Sequence, residues 1–550
     1  MFKKSVGNQQ LDMFSSPGEH LRGSKMNYYL KNDSWHNLFR NQVVMRIDES
    51  IFSVLFCDDN GAPNVSIRVL IGMMILKEAH GWSDQQLFES SNFNILTRSA
   101  LGLMSLTDAI PAESTYYLFR HKMVKYNKLN DTDLLKACFE QITHMQILEF
   151  DVSGKQVRMD SKLMGSNIAW LSRYELIHET LRMFIKEREE YIYKKSLSKD
   201  EFALIKSIQA EKGNKVVYRS TKSEVESKIV TLGKLMYRFV VLFKGNQYGE
   251  YKTLKALFHE QFSVDKDKVV LPLEKEKISA KSIQSPHDTD ADYRNKDGNQ
   301  VKGYSINLTE TCDKPSDSDK PVLNLITDIQ VNVVSTQDNT FVKSSITNTQ
   351  QILPNQIETV YTDGAYNSAD NQEFCTDNNI DLLMPTIQGT LPRYDISIDE
   401  NDNNNLIVID NKTGEQLQAK QISTRKNPEL KKWRIITDDG KYRYFDDECV
   451  RVADLRKRLK DIPIEDHFIR HNVEASIFQL GFHYPNDKSR YRTLAKQALW
   501  AYSRALWINL VRIKNYVMQI CQRSLFLCKA QLNTVNICFD MQIIKLAYAA

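Results

Sequence analysis

Long apolar runs are missing from this 550-residue sequence. No stretch reaches the roughly 20 apolar residues that a membrane-spanning helix needs. The tail from Ala498 to Cys528 comes nearest, and Arg504, Arg512, Lys514 and Arg523 interrupt it. The opening "MFKKSVGNQQLDMF" has two lysines but no apolar stretch behind them, so no secretory signal is expected. Cysteine is sparse and scattered: the eight stand at 57, 138, 312, 375, 449, 521, 528 and 538, and none forms a CxxC pair. That argues against a zinc site or a disulfide framework and fits a reducing cytoplasm. Internal repeats and long low-complexity tracts are absent too.

What remains is an ordinary globular composition, 42% hydrophobic and 26% charged, long enough for roughly three to four domain-sized units. The net charge of +4 is small but unevenly spread. From Arg451 to Ala550 there are 16 Lys and Arg against 7 Asp and Glu. A basic segment of this kind suits a polyanion, and equally a solvated helical surface.

Residues 1–26 read as a flexible polar lead. From 27 to 150 the pattern is helical. "SIRVLIGMMILKEAHGW" sets Val69, Leu70, Met73, Met74 and Leu76 on a broad apolar face, Ser83-Asp84 restarts a helix after Gly81-Trp82, and "PAEST" opens another. An all-α domain is expected there; such helical units sometimes bind DNA and more often only pack. "KQVRMDSKLM" then reads as a strand, with Val157, Met159 and Ser161 alternating with Arg158 and Asp160. A charged helical insert follows at 171–280, then a polar acidic loop at 285–300, two strands, a helix over 336–352, a strand "TVYT", a helix over 368–378 and a strand "DLLMPT". Residues 390–450, with "NKTG" and "DDGK" turns, read as a small antiparallel insert, and helix resumes at about Val450.

Three acids stand out in this α/β pattern. "IETVYTDGAYNS" ends a β-rich run on Asp363, with Asn367-Ser368 placed to cap the next helix. A carboxylate at the carboxyl edge of a strand is either a turn residue or part of a site. Asp160 is a lone acid on an alternating strand. In "DHFIRHNVEASIFQLGFHY", His467, Arg470, Glu474 and Phe478 share one helical face, where Arg470 and Glu474 are either a surface pair or site residues. Together, three carboxylates from two strands and a helix suit hard divalent cations, which take oxygen ligands; a pair of ions about 3.5–4 Å apart serves phosphodiester chemistry. The acids are 203 and 111 residues apart, and each interval contains an insert.

With these residues the chain resembles bacterial insertion-sequence transposases of the DDE type, most closely the group named after insertion sequence eleven-eighty-two. The resemblance rests on "GAPNVSIRVLIGMMILKEAHGWSDQQLFE", "IPAESTYYLFR", "RMDSKLM", "SPHDTDADYRNKDGNQVKGYSINLTETC", "VYTDGAYNS" and "RHNVEASIFQLGFHY", with the helix that follows. It implies an α/β, RNase H-like catalytic core over 151–389 and 451–550, carrying the all-α N-terminal domain, the helical insert and the small β insert. It implies Asp160, at the end of the first core strand, Asp363 and Glu474 as catalytic metal ligands, holding Mg²⁺ (Mn²⁺ can substitute) as two ions. The family's motif around the last acid also carries a Tyr before the Arg and a Lys seven residues after the Glu. This chain has His467 and Gly481 there, so the DNA-binding role falls to Arg470 with Lys488, Arg490 and Arg492.

The activity so implied is cleavage of the element's ends and their joining to target DNA. The partners are double-stranded DNA (inverted-repeat ends and target) and further copies of the chain in the active assembly, in the bacterial cytoplasm and on the nucleoid when DNA is bound, with no membrane. The alternatives are a transposase-derived DNA-binding protein without catalysis, or an RNase H-like nuclease without strand transfer.

Overall fold

The computed structural model of the protein describes residues 2–4, 21–57, 63–296, 298–315, 321–385, 392–399, 402–422, 431–437, 439–460 and 463–547. Seven helices come first: α1 (Ser24–Leu30), α2 (Trp35–Gln42), α3 (Ile67–His80), α4 (Asp84–Phe93), α5 (Ile95–Ala100), α6 (Glu113–Asn130) and α7 (Leu134–Glu149). Local chemistry sets their ends. Ser66 caps α3, Gly81 closes it in the left-handed conformation, and Ser83 with Gln86 makes a capping box for α4. The polar lead lies mostly outside the described residues; at its edges Phe2 packs on Phe56, and α1 already begins at Ser24.

The five residues expected on the apolar face of α3 are all buried, and burial extends beyond that face. Apart from Arg68 and His80 the whole helix is buried, with the apolar run Val69–Leu76 followed by the buried Lys77 and Glu78. Other N-terminal helices cover one side and the long C-terminal helix α17 (Leu494–Ala547) covers another. The N-terminal helices therefore share one continuous core with the sheet that follows, through Met164, Ile306, Leu308, Val473 and Leu506.

The central sheet is built from β1 (Gln156–Gly165), β4 (Asp292–Lys296), β5 (Asn299–Thr311), β6 (Ile326–Val333), β7 (Thr359–Tyr361) and β8 (Asp381–Leu383). Strands run in the order β4-β5-β1-β7-β8, and β6 lies beside β5. β1, β7 and β8 are parallel, and β5 is antiparallel to β1, β4 and β6. Helices α13 (Val342–Ile352) and α14 (Ala369–Asp377) connect the later strands, and α16 (Ile464–Gly481) lies on β1. The helical insert is α8 (Arg173–Tyr193), α9 (Lys199–Ala210), α10 (Gly213–Tyr218), α11 (Lys222–Leu242) and α12 (Gly249–Gln261), with the short pair β2 (Phe262–Val264) and β3 (Val270–Pro272), and it has its own core. The second insert holds two three-stranded sheets, β9 (Tyr394–Asp399), β10 (Asp402–Asp410) and β11 (Gln416–Gln418), then β12 (Lys420–Ile422), β13 (Lys432–Ile436) and β14 (Tyr442–Asp446). It closes on α15 (Asp447–Lys460). Among the described residues no helix is long and apolar enough to cross a membrane.

The expected polar loop at 285–300 is a correction, since β4 lies within it. Two of its acids are buried anchors: Asp288 accepts from the Tyr304 and Ser166 hydroxyls, and Asp292 from the Ser335 amide and hydroxyl. Hydrogen-bonded in this way, a buried carboxylate ties distant strands together.

One fully buried carboxylate ties α16 to the sheet. Glu310 on β5 accepts from Arg158 Nε on β1 (2.6 Å), and from Arg512 Nη2 on α17 (2.6 Å) and Ser476 Oγ on α16 (2.7 Å). Arg158 also donates to the Ile469 carbonyl (2.8 Å). The two guanidiniums outweigh the cost of burial and hold the Glu310 carboxyl below its ordinary range. Glu310→Ala would leave both cations without their shared partner. We expect it to lower unfolding stability by about 3–5 kcal/mol in urea titrations; a loss below about 1 kcal/mol would show that this network does not hold the helix.

Candidate catalytic site

The β1–β7 register puts two of the expected acids side by side. Gln156 pairs with Thr359, Val157 with Val360 and Arg158 with Tyr361, and there the ladder stops. Two residues further on, the same register sets Asp160 opposite Asp363. Asp363 follows β7 as expected. Asp160 is a correction: it lies in the middle of β1 rather than at its end, because the long strand β5 keeps pairing with β1 as far as Gly165↔Gly303. Toward β7, however, the ladder has already ended.

Each aspartate has one oxygen fixed by backbone. Asp160 Oδ1 accepts from the Ser161 amide (2.8 Å), and Asp363 Oδ1 accepts from the Ala365 amide (2.8 Å), capping a tight turn, Gly364–Tyr366. Tyr366 is buried and donates to Asn307 Oδ1 (2.7 Å), which pins that turn to β5. Ser368 caps α14, as its sequence position predicts. The other oxygens meet one guanidinium: Arg470 Nη2 is 3.7 Å from Asp160 Oδ2 and 3.8 Å from Asp363 Oδ2. These are ion pairs, longer than hydrogen bonds. Arg470 Nε is buried without a hydrogen-bond partner among the described residues.

Glu474 follows Arg470 by one helical turn on α16 and is exposed. The side chain of His467 lies outside the described residues. Burial pushes the Asp160 carboxyl up to about 6; the Ser161 amide and Arg470 pull it down, and the charges of Asp363 and Glu474 push it further up. Among the described residues no three His, Cys, Asp or Glu side chains stand close enough to hold one metal ion. Asp160 and Asp363 flank Arg470, and like charges keep apart unless a cation joins them.

The three C-terminal cations expected to bind DNA are exposed, and each also holds a backbone carbonyl. Lys488 Nζ donates to Ile168 (2.8 Å), Arg492 Nε to Asn167 (2.7 Å), and Arg490 to Trp82 (2.8 Å) and Gly81 (2.5 Å) at the end of α3. They fasten the loop after α16 to the start of the helical insert and to the N-terminal helices. Sequence reading missed Lys162 and Asp338. Lys162 stands on the Asp160 face of β1, two residues on, and pairs with Asp487 (2.6 Å). Its side chain lies beside Gly481, where an added Cβ would be 3.3 Å from Nζ. Strand alternation from Asp160 would have found it. Asp338 is buried and accepts from Ser161 Oγ (2.8 Å); it lies in a stretch read only as helix.

The Asp160 shift has a consequence for stability. The folded carboxyl keeps its proton up to about pH 6, the unfolded one only to its ordinary 3.8. The folded state therefore binds the proton more tightly, and stability falls as pH rises from about 4 to about 6, by roughly 2–3 kcal/mol. Asp160→Asn removes this fall. Urea midpoints measured against pH in chelator should converge for the two proteins toward pH 4 and separate toward pH 7, with the variant the more stable; parallel curves would contradict the shift.

A family model described as Transposase domain (DUF772) matches residues 30–122, from the end of α1 into α6. No curated protein and no solved structure matches the chain.

Proposed function

We propose that the protein is a DDE-type transposase that cleaves the ends of an insertion element and joins them to target DNA. The observation that carries this reading is the β1–β7 register, which sets Asp160 beside Asp363 under a helix bearing Arg470 and Glu474. The transposase-domain match at 30–122 supports it from a separate part of the chain. The strand order, antiparallel strands leading into three parallel ones, supports an RNase H-like core.

The donor set fits a hard divalent cation. It is all oxygen, and the two free Oδ2 atoms already face one positive charge. The raised Asp160 carboxyl shows that Arg470 alone does not offset the burial of its charge. Asp160, Asp363 and Glu474 would hold Mg²⁺, as two ions, with Mn²⁺ able to substitute. Such ions activate water, or later a 3′-OH, and stabilise the leaving oxygen in phosphodiester chemistry. The backbone amides of Ser161, on β1, and of Ala365, in the turn pinned to β5 by Tyr366, fix the carboxylates. Arg470 holds the acids together at rest and has spare donors for a DNA phosphate. Lys488, Arg490 and Arg492 keep N–H groups toward solvent beyond their carbonyl bonds and line the path of the DNA backbone.

The test is a cleavage and joining assay on DNA carrying the element's own ends. Asp363→Asn keeps side-chain volume and removes a charged ligand. It should abolish cleavage with Mg²⁺, a loss of at least a hundredfold, while binding of the ends stays within a few-fold. Full activity of the variant would overturn the metal-ligand assignment. Cleavage without joining by the wild type would favour a nuclease, and binding without cleavage a DNA-binding protein.

A further inference from the structure

The β insert has a cavity of about 570 Å³ between β9, β14 and α15. Its wall holds four cations, Arg443, Arg456, Lys457 and Lys460, against two acids, Asp395 and Glu448. Glu448 is committed to Arg451 by two hydrogen bonds (2.8 and 2.5 Å). The four cations have no ion pair or hydrogen bond with the described residues. Lys460 stands at i+3 from Lys457 and i+4 from Arg456, so the three share one side of α15. Like charges so spaced repel, by a few tenths of a kcal/mol per pair on a helix. An anionic ligand would turn that repulsion into binding energy.

The rest of the wall narrows the choice of anion. Tyr394 and Tyr444 line the hollow, and Tyr444 is 55% exposed. Tyr442, on the same side of β14 by strand alternation, is 53% exposed, with the Arg434 guanidinium 4.7 Å from its ring centre. Several unpaired cations side by side suit a polyanion such as the DNA backbone, whose repeated phosphates meet them together. The hollow is also coupled to the catalytic sheet. Val450 and Ala453 of α15 pack in the insert's core, while Leu455 and Leu459 pack in the core under β1 and β7.

We propose that this basic hollow of the β insert is a second DNA-backbone contact site, apart from the carboxylate cluster. It rests on the reading of the protein as a DNA-processing enzyme. The test is binding of the full-length protein to a fluorescent DNA duplex across a potassium chloride series. The variant is Arg456→Gln/Lys457→Gln/Lys460→Gln, whose substitutions keep helix propensity and leave both cores untouched.

If three phosphate contacts are lost, the slope of log affinity against log salt should shrink by about 2–3, and affinity near 0.1 M salt should fall at least tenfold. The charge-keeping variant Lys457→Arg/Lys460→Arg, which guards against a folding defect, should retain the wild-type slope. Wild-type-like slope and affinity in the Gln variant would overturn the proposal while leaving the catalytic reading intact. So would unchanged DNA binding with loss of inorganic-phosphate binding, which would make the hollow a small-anion site. A wild type that binds no DNA would overturn both readings.

Discussion

The structure turns on the Glu310 carboxylate, which is wholly buried and shared by Arg158, Arg512 and Ser476. A buried ion pair is weak evidence for stability in general, because desolvation offsets attraction. Here its importance is where it places things. The partners come from β1, α16 and α17, and the Ile469 carbonyl held by Arg158 is one residue from Arg470. Ser476 is two residues from Glu474. The network therefore fixes the rotation and height of α16 over β1, which decides whether its acid and its guanidinium meet the two strand aspartates.

The other end of α16 is fixed just as firmly, and to a different part of the chain. Glu78 near the end of α3 is buried, with its carboxyl pushed up, and accepts from the hydroxyls of Tyr484 and Tyr491. Arg504 on α17 donates to the Glu78 and Ala79 carbonyls and to the Gln479 carbonyl of α16. His483 bonds the Ala79 carbonyl (2.9 Å) and packs against Gly81. The segment matched as a transposase domain thus ends its central helix on the loop that leaves the candidate catalytic helix. Exposed cations of that loop join the two surfaces.

Much of this was legible in sequence, and the misses share a cause. The acid that follows β7, the capping serines and the two inserts could be read because each is a local pattern. Which strand lies beside which could not. The 203-residue interval between Asp160 and Asp363 is also the offset of the β1–β7 register, yet only the paired strands give the number that meaning. Asp288 and Asp292 looked like loop acids because their hydroxyl partners lie up to 122 residues away. Arg490 looked like a free cation because the carbonyls it holds are 408 and 409 residues away. Glu310 was quoted within "GYSINLTETC" but not singled out, since nothing local shows that two arginines from separate elements converge on it.

The proposed divalent-metal site of Asp160, Asp363 and Glu474 takes its geometry from β1, β7 and the fastened helix α16. Crystals soaked in Mn²⁺ and measured at an anomalous wavelength test it most directly. Anomalous density is expected bonded to Asp160 Oδ2 and Asp363 Oδ2, with Glu474 drawn in and Arg470 displaced from between the aspartates. Density confined to other carboxylates, with Arg470 still bridging Asp160 and Asp363 at saturating Mn²⁺, would contradict it.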